Sequence, residues 1–424
     1  MKKWFEEKFI PVATRIANSR ILCALRDGIV MAMPLMIIGS LFIIISDFPS
    51  DAYQSFMAGM FGEGWGDKLV WSTVFPATMS IISLIASFGV AKSLVESYGY
   101  KGDPAGVMAI AAYLIVTTFD SDMWGWNADY LGTSYLFSAL VISLLAGYVY
   151  KFVLDRDLVI KLPESVPPAI SGSFTALIPG LIIVVLALIV KFIFAKTPYG
   201  DFSTAILTVV GTPLTKAGTS LGGVIATTLV EQILWSFGIH GSNVVSSIMG
   251  PIWSNAQMAN LSAYQAGQAI PYAVTTSFVE NFLWIGGSGA TLPLVIWLCV
   301  FAKSKIGKQV GRLSLAPGIF NINEPVVFGM PVVLNPFLMI PYICAPLVIA
   351  IFTYITMSMN IFPKPCGISI NWTIPYFLCG YLTTGGKIGG FILQVINFFI
   401  AFVIWWPFVR AWDKEQLKKE NGEE

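Results

Sequence analysis

Seven apolar runs at or near bilayer length punctuate this 424-residue chain, at 28–46, 72–91, 135–150, 173–195, 283–302, 334–357 and 390–408. A helix needs about 20 mainly apolar residues to cross a hydrocarbon core about 30 Å thick, so repeated runs of this kind commit a chain to a membrane. The remaining composition agrees. Hydrophobic residues make up 56% of the chain, charged residues only 12%, and the mean hydropathy is +0.74, more apolar surface than a soluble domain can bury. The first run follows a segment, 1–26, with six Lys and Arg, and no small-residue cleavage site intervenes, so no removable signal peptide is expected.

Net charge is +1, and its distribution sets the topology. Lys303, Lys305, Lys308 and Arg312 fill one loop without an acid, which marks that loop as cytoplasmic. Asp47, Asp51, Glu63 and Asp67 dominate a second loop and Asp120, Asp122 and Asp129 a third, both expected outside. Counting spans between these markers predicts about ten crossings with both termini in the cytoplasm. Two amphipathic segments, 2–19 and 201–218, read either as helices lying in the interface or as a cytosolic cap and a long linker. The expected fold class is thus an all-α integral membrane protein: about ten transmembrane helices, interfacial amphipathic helices and, from the breaks described below, re-entrant hairpins. No internal repeat is evident, which argues against two symmetric inverted halves.

Several chemistries are set aside. Cys23, Cys299, Cys344, Cys366 and Cys379 have no C-x-x-C spacing and sit mostly in apolar sequence, so packing is their expected role. A single histidine makes a metal site unexpected, and no G-x-x-x-x-G-K-[ST] loop exists to hold ATP. No cofactor and no nucleic-acid partner are expected.

Between Lys216 and Asp413 only three acids occur, Glu231, Glu280 and Glu324, each in membrane-like sequence. A carboxylate at bilayer depth costs on the order of 3 kcal/mol, so it faces the protein interior or a watery cavity and is a candidate functional group. For Glu231 and Glu280 a purely structural carboxylate satisfied by partners stays open. Glu324 has the most informative setting. Gly318-Ile319-Phe320-Asn321-Ile322-Asn323-Glu324-Pro325 runs into Val326-Val327-Phe328-Gly329-Met330-Pro331 and then Asn335-Pro336. Proline removes a backbone donor and biases its predecessor away from the helix, so helical bonding is expected to fail at Asn323 and Glu324. Non-helical backbone at this depth survives only inside protein or beside a water-filled cavity, as at a re-entrant hairpin tip. Amides and a carboxylate there suit a hydroxyl-rich ligand.

The sole histidine lies at a similar break, Trp235-Ser236-Phe237-Gly238-Ile239-His240-Gly241-Ser242-Asn243, where an imidazole can donate and accept hydrogen bonds. Trp235 and Trp372 can stack on the apolar faces of sugar rings or anchor at the interface. Gly385-Gly386 and Gly389-Gly390 permit either close helix packing or a hinge.

Taken together, Leu162-Pro163-Glu164-Ser165-Val166-Pro167-Pro168-Ala169-Ile170-Ser171, Phe237-Gly238-Ile239-His240-Gly241 and the 321–336 string resemble the lactose, cellobiose and chitobiose group of phosphotransferase-system membrane subunits, enzyme IIC. The resemblance covers nearly the whole chain. It implies a permease in a bacterial cell membrane that imports a β-linked disaccharide, with cellobiose or chitobiose ahead of lactose. It also implies a homodimer whose N-terminal domain, 1–200, makes the dimer contact, and a C-terminal domain, 201–424, that encloses the sugar. His240 and Glu324 are expected at the hydroxyl to be phosphorylated, Trp235 and Trp372 as ring-stacking partners, and Asn127, Asn323, Glu231 and Asn243 as further polar contacts. Glu324 is assigned to the hydroxyl as its base and His240 to the sugar or the developing charge, roles that can be exchanged. The enzyme activity implied is a sugar phosphotransferase whose phosphate comes from the phosphocysteine of a separate cytosolic enzyme IIB. Only 410–424 remain after the last span, so no attached IIB domain is expected, and the 303–312 and 161–171 loops are candidate docking surfaces. The rival reading is an ion-coupled secondary sugar transporter in which Glu231, Glu280 and Glu324 carry protons or position a cation.

Overall fold

The computed structural model describes residues 19–46, 51–122, 124–132, 135–163 and 166–422. Residues 2–18 of the amphipathic N-terminal segment, Asp47, the Asp129 side chain, Glu164 and Ser165 lie outside the described residues. The chain is mostly helical. Among the described residues six helices are long and apolar enough to cross a membrane: Arg20–Ile43, Asp67–Glu96, Leu136–Asp155, Ser171–Ala195, Pro336–Ser358 and Ile388–Asn421. Three shorter apolar helices accompany them, Asp103–Val116, Leu221–Ser236 and Leu292–Phe301. Further, mostly shorter or more polar helices complete the chain, and the only strands among the described residues form a two-stranded hairpin pairing Phe119–Asp120 with Gly125–Trp126.

The run at 283–302 is not one helix. A π-helical turn at Val279–Leu283 precedes a loop, and a ten-residue helix starts only at Leu292. The reason is local. Gly286, Gly287 and Gly289 adopt φ of 75°, 95° and 78°, conformations that side chains resist, and Ala290 joins them at 51°. The 201–218 segment is helical, begun by Asp201, whose carboxylate accepts the Thr204 amide at 2.8 Å.

The chain divides into two compact units. The first takes the described residues up to Ser46, Met57–Lys216 and Ser246–Asn255. Its core is made of small side chains: Ala91, Ala105, Ala109, Ala112, Ala139 and Ala146 gather around buried Tyr113. Small residues let helices approach closely where lipid offers no hydrophobic incentive to associate. The pair Gly28 and Gly89 shows how closely, since a Cβ on Gly89 would stand 2.7 Å from the Gly28 Cα. Gly89→Leu is therefore expected to push these two helices apart and to destabilise the unit by about 3 kcal/mol. Thermal unfolding in detergent checks this against Gly59→Ala, where nothing stands within 4 Å and no change is expected. The Ser171–Ala195 helix has the opposite character, strongly apolar yet only 22% buried, with Leu181, Phe192 and Ile193 facing outward. Such a surface suits lipid or another subunit.

The second unit takes Asp47–Phe56, Ala217–Val245 and Ala256–Glu424. Its irregular segments are tied together by buried amides. Asn260 donates to the carbonyls of Tyr272 and Pro365 at 2.7 and 2.8 Å and accepts the Tyr272 amide at 2.9 Å. The two glycine pairs part company. Gly385 and Gly386 turn the chain with φ of 69° and 74°, whereas a Cβ on Gly390 would strike the Gly380 carbonyl, so that pair seats the Ile388–Asn421 helix against Tyr376–Thr383.

Candidate functional site

The histidine break assembles as its glycines dictate. The Leu221–Ser236 helix ends before Gly238, which turns the chain at φ 82°, and Gly241–Gln265 restarts at once. A Cβ on Gly241 would collide with the Glu231 carbonyl, so the new helix begins directly against the old one. His240 caps it, its Nδ1 accepting the Asn243 amide at 3.3 Å. A neutral imidazole whose Nδ1 accepts must carry its proton on Nε2, which makes His240 a donor through Nε2. The Trp235 ring packs on the imidazole with centroids 4.3 Å apart. Trp235 is buried, whereas His240 and Asn243 are exposed.

Glu231 lies behind this turn, 4% exposed. Its Oε1 accepts from Ser242 Oγ at 2.6 Å and from Trp284 Nε1 at 3.0 Å, and Ser242 in turn accepts Trp235 Nε1 at 3.2 Å. A buried carboxylate with good donors is retained rather than expelled, and here it fixes two tryptophans. Glu280, on the π-helical turn, is half-buried and within charge–charge range of Glu231.

The Asn-Glu-Pro break is organised by the two asparagines. Asn321, at φ 62°, accepts the Gly286 amide at 2.9 Å and donates to the Trp372 and Ile374 carbonyls at 2.6 and 3.2 Å. Asn323 donates to Ser288 O at 2.6 Å and to its Oγ at 3.0 Å, while Ser288 Oγ pairs with the Tyr342 hydroxyl at 2.7 Å. Both asparagines are buried, but Glu324 is exposed, at the first position of the short Glu324–Gly329 helix. A carboxylate is favoured at a helix start. Glu324 lies within charge–charge range of His240. Trp372 is 36% exposed and meets Trp284 edge-on at 6.5 Å.

Seven of the eight singled-out residues therefore belong to the second unit, in two groups. Glu324, His240, Asn243 and Trp372 present exposed groups, and Glu231, Asn323 and Trp235 are buried behind them. Asn127 belongs to the first unit, exposed just after the Phe119–Asp120/Gly125–Trp126 hairpin. Trp284, Ser242, Asn321, Ser288 and Tyr342 also contribute, and none of them stands out individually in the sequence. A signal for three of these was present, since Trp284 and Ser288 flank the Gly286-Gly287 pair and Asn321 has the two-residue spacing to Asn323.

A helical membrane body that holds a carboxylate, an imidazole and an exposed tryptophan at paired helix breaks is a polar-solute permease. The family model "Phosphotransferase system, EIIC" matches residues 26–346. The lichenan permease IIC component of Bacillus subtilis (strain 168) is 44% identical over 428 residues, covering 98% of this chain and 94% of that protein. The cellobiose-specific EIIC component of Geobacillus stearothermophilus is 40% identical, covering 99% and 96%. The crystal structure of the transporter ChbC, the IIC component of the N,N'-diacetylchitobiose-specific phosphotransferase system, matches with a TM-score of 0.94 and 40% identity over 99% of each chain. This chain belongs to the phosphotransferase-system EIIC family. It is a multi-pass membrane protein and the permease of its system, working with a cytosolic EIIB partner that supplies the phosphate.

Proposed function

We propose that the chain imports a β-linked disaccharide of the cellobiose or chitobiose type and presents its 6-hydroxyl to the phosphocysteine of a separate EIIB protein. The observation that carries this reading is the exposed Glu324 carboxylate within charge range of His240, on a break that Asn321 ties to the backbone of the partly exposed Trp372. Glu324 accepts the hydroxyl proton as the oxygen attacks phosphorus, and the S–P bond of the phosphocysteine breaks to leave the EIIB cysteine as its thiolate. His240 donates through Nε2 to the sugar or to the charge that develops during transfer. Trp372 offers its ring to an apolar pyranose face, and Asn243 to a hydroxyl. Glu231 and Asn323 shape the site from behind, fixing Trp284 and the Ser288 loop, with Trp235 holding the imidazole plane. Asn127 is a further polar contact for the sugar. Names of relatives support the substrate class: cellobiose and N,N'-diacetylchitobiose are both β-linked disaccharides.

In this reading, about ten crossings with re-entrant hairpins at the 284–291 and 320–335 breaks place both termini in the cytoplasm. The 201–218 helices lie in the interface. The N-terminal half, 1–200, carries the homodimer contact, for which the outward apolar face of Ser171–Ala195 is suited, and the 201–424 half holds the sugar. The deciding experiment supplies phosphorylated EIIB to membranes containing this chain and looks for the 6-phosphorylated disaccharide. Sugar accumulation driven by an ion gradient, without EIIB, would defeat the reading. His240→Ala is expected to lower kcat/KM for phosphorylation by about 100-fold, since it removes a donor aimed at developing charge. Steady-state assays with saturating EIIB measure it.

A further inference from the structure

The loop that carries the densest positive charge is held from a distance. Asp413, only 4% exposed, lies near the end of the Ile388–Asn421 helix. Its Oδ2 accepts the Lys303 amide at 2.8 Å, and its Oδ1 accepts the Ser304 amide at 3.1 Å and the Ser304 hydroxyl at 2.6 Å. About two turns further along the same helical face, Glu420 accepts the Lys305 amide at 2.9 Å and the Ile306 amide at 3.1 Å. Ser304 Oγ then takes the Gly307 amide at 3.0 Å. The opening amides of the Lys305–Ile319 helix, which a local cap satisfies only in part, are thus almost all bonded, most of them by carboxylates over 100 residues away in sequence.

These acids meet backbone rather than bases. Among the described residues none of Lys303, Lys305, Lys308 and Arg312 forms an ion pair, and all four are exposed. Lys305, Lys308 and Arg312 fall at i, i+3 and i+7, one stripe of the helix. The buried side of the helix includes Gly311, whose Cβ would stand 2.9 Å from the Leu298 side chain. The same helix leads within five residues of its end, Ile319, to Glu324.

We propose that Asp413 and Glu420 are positioning residues that fix this basic stripe as the dock for the phosphorylated, anionic partner protein, so that partner and sugar hydroxyl are aligned through one rigid helix. The inference rests on the EIIB-dependent reading above. Diffuse attraction to anionic lipid tolerates mobile bases, whereas a partner of defined shape needs bases in fixed places. In-line transfer is sensitive to misplacement of about 1 Å, which gives the clamp its purpose.

The test uses the full chain in neutral-lipid nanodiscs with purified phosphorylated EIIB. Asp413→Asn is expected to raise the apparent KM for phospho-EIIB about tenfold, with kcat at saturation and the sugar Kd within about twofold, and to speed amide exchange at 303–307. Asp413→Glu should recover part of the loss. Glu420→Gln, an exposed change that leaves the buried carboxylate in place, should raise KM about threefold and carries the test should Asp413→Asn not fold. Faster exchange at 303–307 with unchanged KM would overturn the proposal, as would a KM effect seen only after anionic lipid is added. Wild-type chain that gives no phosphorylated sugar would instead overturn the EIIB-dependent reading itself.

Discussion

Glu324→Gln is expected to abolish most of the sugar phosphorylation while leaving the sugar bound. The two side chains have the same shape, and glutamine keeps an oxygen that accepts from a sugar hydroxyl, so the Kd for disaccharide should stay within about threefold. What glutamine cannot do is take a proton, and general-base contributions are worth about 10² to 10⁴ in rate. The backbone at this position does not depend on the carboxylate. It is held by the neighbouring Asn323, whose amide is bonded to Ser288, and by Pro325 at the start of the Glu324–Gly329 helix. The exposed position of Glu324 makes a folding defect an unsuitable explanation for any loss. Quenching of tryptophan fluorescence on titration with disaccharide measures binding, and formation of the 6-phosphorylated product with saturating phospho-EIIB measures transfer. A variant that phosphorylates within about threefold of wild type would remove Glu324 from the role of base. A variant that fails to bind would recast it as a sugar ligand.

The membrane architecture was legible because hydrocarbon imposes a length. Six of the apolar runs coincide with helices able to span, and their register needed no knowledge of neighbours. The run at 283–302 misled because mean hydropathy counts Gly286, Gly287 and Gly289 as harmless, whereas their positive φ values end helical bonding. At the site, the breaks were legible for the converse reason: proline and glycine act on the backbone locally, so 238–241 and 321–336 announce themselves. Long-range bonding does not. Nothing in the surroundings of Glu231 names Trp284, 53 positions away, as its donor, and nothing near Asp413 names Ser304. The polar residues read from sequence as one contact set divide in the fold into exposed groups and buried supports, a distinction set by which face of each turn is packed.

Asn321 is the support with the largest expected effect on the site's shape. Its three hydrogen bonds tie Asn321 to two separate stretches of irregular backbone, one at the Gly286 amide and the other at the Trp372 and Ile374 carbonyls. Asn321→Ala removes all three and leaves a buried N–H and two carbonyls to find other partners, a cost of about 2 to 4 kcal/mol. Alanine also sits poorly at φ 62°, adding about 1 kcal/mol that asparagine largely avoids. The expected result is a lowering of Tm of about 5 °C or more in detergent, together with at least a tenfold weaker sugar Kd as Trp372 loses its fixed place. Asn321→Gly separates the two causes. Glycine adopts the same backbone freely, so it abolishes the strain and keeps the loss of hydrogen bonds. If the side-chain links hold Trp372, the glycine variant should bind sugar as poorly as the alanine variant while recovering only part of the stability. Wild-type sugar affinity in Asn321→Gly would show that the left-handed turn alone, and not the asparagine bridge, sets the position of Trp372.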